Sequence, residues 1–229
     1  MKVSLAFDLF GTLVNTEPIR KSLENYVEEQ AGNFYKLWRN KQLEYSCRKS
    51  LMNMKIDYSQ CTKEALDYCC SSYDIYLSGR DKKNLLKMFT SLPAYPDAAD
   101  TLNQAKSEGF KLYVLSNAEK DTVTNLLHHN QLFSYFDKII TAQEAGVFMP
   151  SPEVYEYFIQ NTGCNKETCW FVSGSSSDTI GAVNAGMKTV WVQRSSDNIF
   201  DPWNIHPDII LGSLTDMLDE INTPDEEYD

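Results

Sequence analysis

Histidine is scarce: His128, His129 and His206 are the three in a chain of 229 residues. His128 and His129 follow Asn125-Leu126-Leu127 in a helical pattern, and His206 sits in a proline-rich turn. No serine in a nucleophile elbow accompanies them, which argues against a serine-hydrolase triad. The glycines from Gly174 to Gly181 lack the Gly-Lys-Ser/Thr of a phosphate-binding loop. No run reaches the roughly 18 apolar residues of a membrane-spanning helix. The opening residues, with a charge at Asp8, read as neither signal nor transit peptide. Six cysteines are present, but no Cys-x-x-Cys pair and no Cys/His cluster, so zinc is not expected. Free thiols and a cytoplasmic location are the simplest expectation. Basic charge is also short: 21 Lys and Arg face 32 Asp and Glu, a net charge of −11. That balance argues against nucleic acid and against a membrane surface as partners, while a locally positive pocket can still take a small anion.

The hydrophobic content of 42% and charged content of 23% are those of a globular protein. A chain this long buries about 70% of its unfolded surface, so a core forms without staples. Val3, Leu5, Ala6 and Phe7 read as a buried strand that delivers Asp8 to a turn at Gly11. From about Glu17 to Leu92 the pattern is helical, with amphipathic sets such as Leu23/Tyr26/Val27 and Leu85/Leu86/Phe89. The character changes at Pro93. A helix starting at Pro96-Asp97 is followed by a strand, Lys111–Leu115, ending in Ser116-Asn117. Further strands are expected at Ile139-Ile140, Trp170–Val172, Thr189–Val192 and Ile209–Leu211. Helices are expected through Val123–Leu127 and over Pro152–Gln160, Asp178–Ala185 and Leu214–Ile221. This alternation predicts an α/β fold: a Rossmann-like parallel sheet with helices on both faces, plus an inserted helical module. The expected division is a core of residues 1–14 and 93–222, a helical cap of 15–92 and an acidic, frayed tail of 223–229. The Tyr-rich stretch Tyr68–Tyr76 reads as cap packing, and Cys69-Cys70 as buried helix residues or free thiols.

Three strands end in small polar or acidic residues: Asp8; Ser116 and Asn117; and Ser173-Gly174-Ser175 with Asp178. In open parallel sheets, ligands bind beyond the carboxyl ends of the strands, so these groups converge on one crevice. Singly, each residue reads as a cap of a turn or helix; together they read as a site.

These motifs carry a resemblance. Asp8-Leu9-Phe10-Gly11-Thr12-Leu13-Val14 is similar to the first motif of the haloacid dehalogenase superfamily. Ser116-Asn117 matches the second, and Ser173–Asp178 with Gly181 and Gly186 resembles the fourth. The helical stretch falls where that superfamily inserts a cap. Most members are magnesium phosphatases with a second Asp two residues after the nucleophile. Phe10 stands there, and Gly174 stands where a metal-binding Asp is usual. An aromatic at position 10 is the pattern of the metal-free L-2-haloacid dehalogenases. The cap segment Leu37-Trp38-Arg39-Asn40-Lys41-Gln42-Leu43-Glu44-Tyr45, with Arg48 and Leu51-Met52, resembles that branch's cap signature.

The resemblance implies a hydrolase that needs no metal or cofactor and acts on a small 2-haloacid. By the family pattern, Asp8 attacks Cα, expels halide with inversion and forms an aspartyl ester. Water activated by Asp178 then releases a 2-hydroxy acid. Ser116 and the backbone N–H groups near Leu9 and Phe10 hold the substrate carboxylate. Arg39 and Asn117 stabilise the departing halide. Thr12 orients Asp8, Ser173 and Ser175 order the second carboxylate and the water, and Phe10 and Trp38 form a dry wall. Tyr155, on the helix after the third motif, completes the expected set. Related enzymes are often homodimers. Two alternatives stay open: a Mg²⁺-dependent phosphatase of the same fold, and a catalytically silent member that binds a carboxylate or a protein.

The sequence departs from the pattern in the third motif. Pro150, Pro152 and Tyr155 fix its register, and Met149 stands where the family carries Lys. Without that cation, Asp8 and Asp178 repel and one is prone to take a proton. Lys120 and Arg39 are the candidate replacements. Ser175, Ser177 and Cys47 stand where bulkier groups are usual, which implies a larger pocket and a larger or different substrate.

Overall fold

The computed structural model describes residues 3–54 and 57–223. Six strands form one parallel sheet: β1 (Ser4–Phe7), β2 (Lys111–Ser116), β3 (Lys138–Thr141), β4 (Cys169–Ser173), β5 (Lys188–Val192) and β6 (Ile209–Leu211). The order across the sheet is β3-β2-β1-β4-β5-β6. The four-residue first strand therefore takes a central place, between β2 and β4. Its register puts Phe7 opposite Val114 on one side and Val172 on the other.

Side chains alternate between two cores, as the period of two requires. Leu5, Phe7, Leu112, Val114, Val172 and Val190 enter one cluster. Ala6, Tyr113, Leu115, Ile140 and Phe171 enter another, on the opposite face. Both faces are covered, so the strands read as continuous apolar runs rather than polar alternations.

Ten α-helices are described. α1 (Glu17–Val27), α2 (Ala31–Leu51), α3 (Tyr58–Ser72) and α4 (Gly79–Met88) lie between β1 and β2, as the helical stretch predicts. They form the inserted cap. α2 is its longest element; Ala31, Phe34, Trp38, Gln42 and Ser46 make its buried stripe at helical spacing. The rest are α5 (Ala98–Ser107), α6 (Lys120–His129), α7 (Ala142–Ala145), α8 (Pro152–Thr162), α9 (Ser176–Asn184) and α10 (Met217–Asn222).

Several expectations shift. α9 starts at Ser176 rather than Asp178, because the Ser175 side chain accepts the Asp178 N–H and caps it. α10 starts at Met217, not Leu214. Leu214 is fully buried, but in the preceding turn. Tyr76 is 91% exposed, so the Tyr-rich stretch is not uniformly packing. Cys61, Cys69, Cys70 and Cys169 are buried free thiols, and Cys47 and Cys164 are free and half-buried. The acidic tail beyond Thr223 lies outside the described residues. No helix among the described residues is long and apolar enough to cross a membrane.

Candidate active site

β1 ends at Phe7, and Asp8 continues its ladder, donating its N–H to the Val172 carbonyl at 2.9 Å. The chain then turns tightly: the N–H groups of Leu13 and Val14 donate to the Leu9 carbonyl, with Gly11 at φ +77°. That left-handed turn is the physical reason for a glycine here. It aims the Asp8 carboxyl past the sheet edge while leaving it 6% exposed.

Two hydroxyls meet one carboxyl oxygen. Thr12 donates to Asp8 Oδ2 at 3.0 Å, and Ser173, at the end of β4, donates to the same atom at 3.4 Å. Each hydroxyl is itself oriented by a backbone N–H. Gly174 donates to the Thr12 oxygen at 2.8 Å, and Ser175 donates to the Ser173 oxygen at 3.0 Å. Gly174 packs so close that a Cβ there would lie 2.2 Å from the Gly11 carbonyl oxygen. The Asp usual here in magnesium-dependent members could be held only if one of the two backbones moved.

Asp178, on the first turn of α9, is buried too, and its Oδ1 has no hydrogen-bond partner among the described residues. The Tyr155 hydroxyl donates to the Asp178 backbone carbonyl at 2.7 Å. Tyr155 is fully buried and does not line the cavity, which corrects its expected place among the reacting groups. It acts on the backbone that carries Asp178.

Asp8 and Asp178 perturb one another. Burial pushes Asp8 up to about 6, against the Leu9 N–H, the Thr12 hydroxyl, the Arg39 charge and the Ser173 hydroxyl, which all favour its charged form. Burial and then the Asp8 charge push Asp178 up to about 7, opposed by Ser175 and Arg39. Arg39 comes down from α2 in the cap. Its burial favours the neutral form, but Tyr35, Tyr58, Asp8 and Asp178 outweigh that and hold its charge more firmly than usual. Arg39 donates to the Gln42 side-chain oxygen, and Gln42 in turn donates to the Thr62 hydroxyl on α3. Its guanidinium lies 5.9 Å from the centre of the Phe89 ring.

Arg39 is therefore the cation that serves both carboxylates. Lys120, the other candidate, is 59% exposed and lies 3.8 Å from Glu144 instead. Met149 is fully buried in the second core. Its backbone exchanges two hydrogen bonds with the Asn117 amide, 2.7 and 3.3 Å.

Asp8, Phe10, Ser116, Asn117, Ala118, Ser175 and Asp178 from the sheet side, and Arg39, Asn40, Leu43 and Tyr58 from the cap, line a cavity of about 180 Å³. A second cavity of about 270 Å³ shares Phe10, Tyr58 and Ala118 with it. Of the residues expected to widen the pocket, Ser175 lines it; Ser177 and Cys47 do not. Trp38 does not form a wall. It is fully buried in the cap, where Nε1–H donates to the Thr62 carbonyl at 2.8 Å. Phe10 packs edge-on against Phe89, with ring centroids 5.8 Å apart. Asn40, Leu43 and Tyr58 are lining residues missed in the sequence. Leu43 follows Arg39 by four positions on α2, a spacing that could have found it; Asn40, one position on, and Tyr58 carry no such signal.

A divalent cation would meet two carboxylates, and an aromatic ring where the third acid is usual. Among the described residues no three His, Cys, Asp or Glu side chains gather. Mg²⁺ is held by one or two carboxylates with waters completing the octahedron, so Asp8 and Asp178 would be its only acidic ligands here and solvent would have to supply the rest.

Residues 5–192 match the family model of haloacid dehalogenase-like hydrolases. The chain belongs to that family. An (S)-2-haloacid dehalogenase of Pseudomonas sp. strain YL is 30% identical over 219 residues, spanning 96% of this chain and 94% of that protein. A crystal structure of a dehalogenase superimposes with a TM-score of 0.90 at 28% identity, covering 97% of this chain and 98% of that one. The L-2-haloacid dehalogenase from Xanthobacter autotrophicus with chloropropionic acid covalently bound has a TM-score of 0.84 at 26% identity, covering 95% and 97%. Within this haloacid dehalogenase-like fold, the cap and the carboxyl edge of the sheet enclose the cavity described above.

Proposed function

We propose that the protein is a hydrolase of (S)-2-haloalkanoates, with Asp8 as nucleophile. One observation carries the reading: Asp8 is a buried carboxylate held by Thr12 and Ser173 under the Arg39 charge, with Phe10 where a phosphatase needs its acid. Displacing halide needs no proton donor, because halide leaves as an anion; cleaving a phosphate ester does.

Asp8 Oδ1, free of the Thr12 and Ser173 bonds, attacks Cα opposite the halogen. The carbon–halogen bond breaks, the configuration inverts, and an ester joins Cα to Asp8. Arg39 and the remaining N–H of Asn117 face the departing halide, whose charge grows only in the transition state. Ser116 and the N–H groups of Leu9 and Phe10 take the substrate carboxylate. Water then attacks the Asp8 carbonyl carbon and gives a proton to Asp178, whose Oδ1 has no partner among the described residues. The bond from the Asp8 carbonyl carbon to the ester oxygen breaks, that oxygen takes the proton back from Asp178, an (R)-2-hydroxy acid leaves, and the regenerated Asp8 carboxyl gives its remaining proton to solvent. The same reading includes a cytoplasmic location and a homodimer. The exposed side chains of Leu51, Met52 and Tyr68 on the cap support self-association.

Both carboxyls must be charged at their moment of action. Activity is therefore expected to rise as pH passes through about 6 and about 7, the values of Asp8 and Asp178. The test is halide release from L-2-chloropropionate, with D-lactate as product and none from Asp8→Asn. Failure with every short 2-haloacid, beside Mg²⁺-dependent release of phosphate from a phosphomonoester, replaces this reading by the phosphatase one. Neither activity leaves the silent binder.

A further inference from the structure

Arg194 follows β5, away from the cavity, and its side chain is 8% exposed. It makes a two-pronged ion pair with Asp97, the residue before α5, at 2.5 and 3.0 Å. The same guanidinium donates twice to the Thr12 backbone carbonyl, at 2.7 and 3.2 Å. Its plane lies 4.0 Å from the centre of the Tyr95 ring. These contacts join three pieces of chain. Thr12 belongs to the turn that carries Asp8. Tyr95 and Asp97 belong to the segment returning from the cap. That segment pairs with the outgoing one: Tyr95 N–H donates to the Leu13 carbonyl and Asn15 N–H to the Pro93 carbonyl, both at 2.8 Å. Asp97 also accepts the Leu214 N–H at 2.8 Å.

We propose that Arg194 is a positioning residue for the nucleophile: by gripping the Thr12 carbonyl and Asp97 together, it fixes the turn whose Thr12 hydroxyl holds Asp8, at the point where both cap linkers cross. This rests on the reading of Asp8 as nucleophile. Arg suits the task because its planar fork serves two acceptors at once, and Lys cannot match that geometry. With the grip lost, the Thr12 hydroxyl drifts from Asp8 Oδ2. The carboxylate then loses a bond that favours its charged form, and its angle of attack loosens.

The test is Arg194→Lys, with Asp97→Asn as the milder second variant, both checked for native circular dichroism. Halide release from L-2-chloropropionate is expected to fall about 10- to 100-fold in kcat for Arg194→Lys, with little change in KM. The acid limb of the kcat profile moves to higher pH. An independent readout is the carboxyl ¹³C titration of Asp8, assigned by comparison with Asp8→Asn; it is expected to move upward in both variants. A folded Arg194→Lys protein with unchanged kcat and unchanged Asp8 titration overturns the proposal. Should the native protein release no halide, an upward titration still supports the positioning role, and the reaction reading alone fails. Should Arg194→Lys not fold, Asp97→Asn decides by the same two readouts.

Discussion

Met149 shows what one side chain can decide. Two buried carboxylates share a cavity with one arginine, and the buried position that resembles the family's lysine site holds a thioether. Arg39 is left to favour both negative charges, and burial still wins, lifting Asp8 to about 6 and Asp178 to about 7. Met149→Lys is expected to move the acid limb of halide release to lower pH, since an ammonium beside carboxylates favours their charged forms. The pH profile of kcat is the measurement; an unmoved limb means that the amine does not reach them. The carboxyl and hydroxyl groups of the site could be picked out in the sequence because each sits at a strand end or in the turn or helix start that follows one. Trp38 and Tyr155 were misplaced for a shared reason. A motif records that a residue is near a site, not whether its side chain faces the ligand or the scaffold. Tyr58 was invisible because it reaches the cavity from the cap, through tertiary packing that no local spacing encodes.

At the scale of elements, the strands were readable as short apolar runs, since a sheet covered on both faces demands them. The start of α10 was not. Leu214 looks like part of a helical stripe, yet it is buried in a turn whose N–H is taken by Asp97. Burial and backbone conformation are separate quantities, and hydrophobic spacing reports only the first. The packing of the β4–α9 loop onto the nucleophile turn gives a direct prediction. Gly174→Ala would place a methyl 2.2 Å from the Gly11 carbonyl oxygen, so one backbone must move. A loss of about 1–3 kcal/mol in urea unfolding is expected, together with a fall in kcat, because Gly174 N–H also orients Thr12. Equal stability and activity would show that the loop has slack.

For the whole molecule, the site opposes folding at neutral pH. A carboxyl raised above its unfolded value binds its proton more tightly when folded. Its favourable contribution is present in acid and declines as pH climbs from the ordinary 3.8 through about 6 to 7. Asp8→Asn is therefore expected to be more stable than the native protein above pH 7, on the order of 3 kcal/mol, or roughly 6–12 °C for a chain of this size. The difference should shrink toward pH 4, where both forms are uncharged. Thermal melts across that range measure it, and a constant offset would contradict the sign.

The central strand has a consequence for how the chain is made. β1 pairs with β2 and β4, and Ser4 lies opposite Cys169. Asp8 leaves the ribosome early, but its partner Ser173 emerges 165 residues later. β1 must wait for some 165 further residues before its second neighbour is made. Contacts so distant in sequence are slow to form, and an apolar strand awaiting its partner is exposed to aggregation. The surroundings of the reactive carboxylate thus close only after a segment far along the chain has been made.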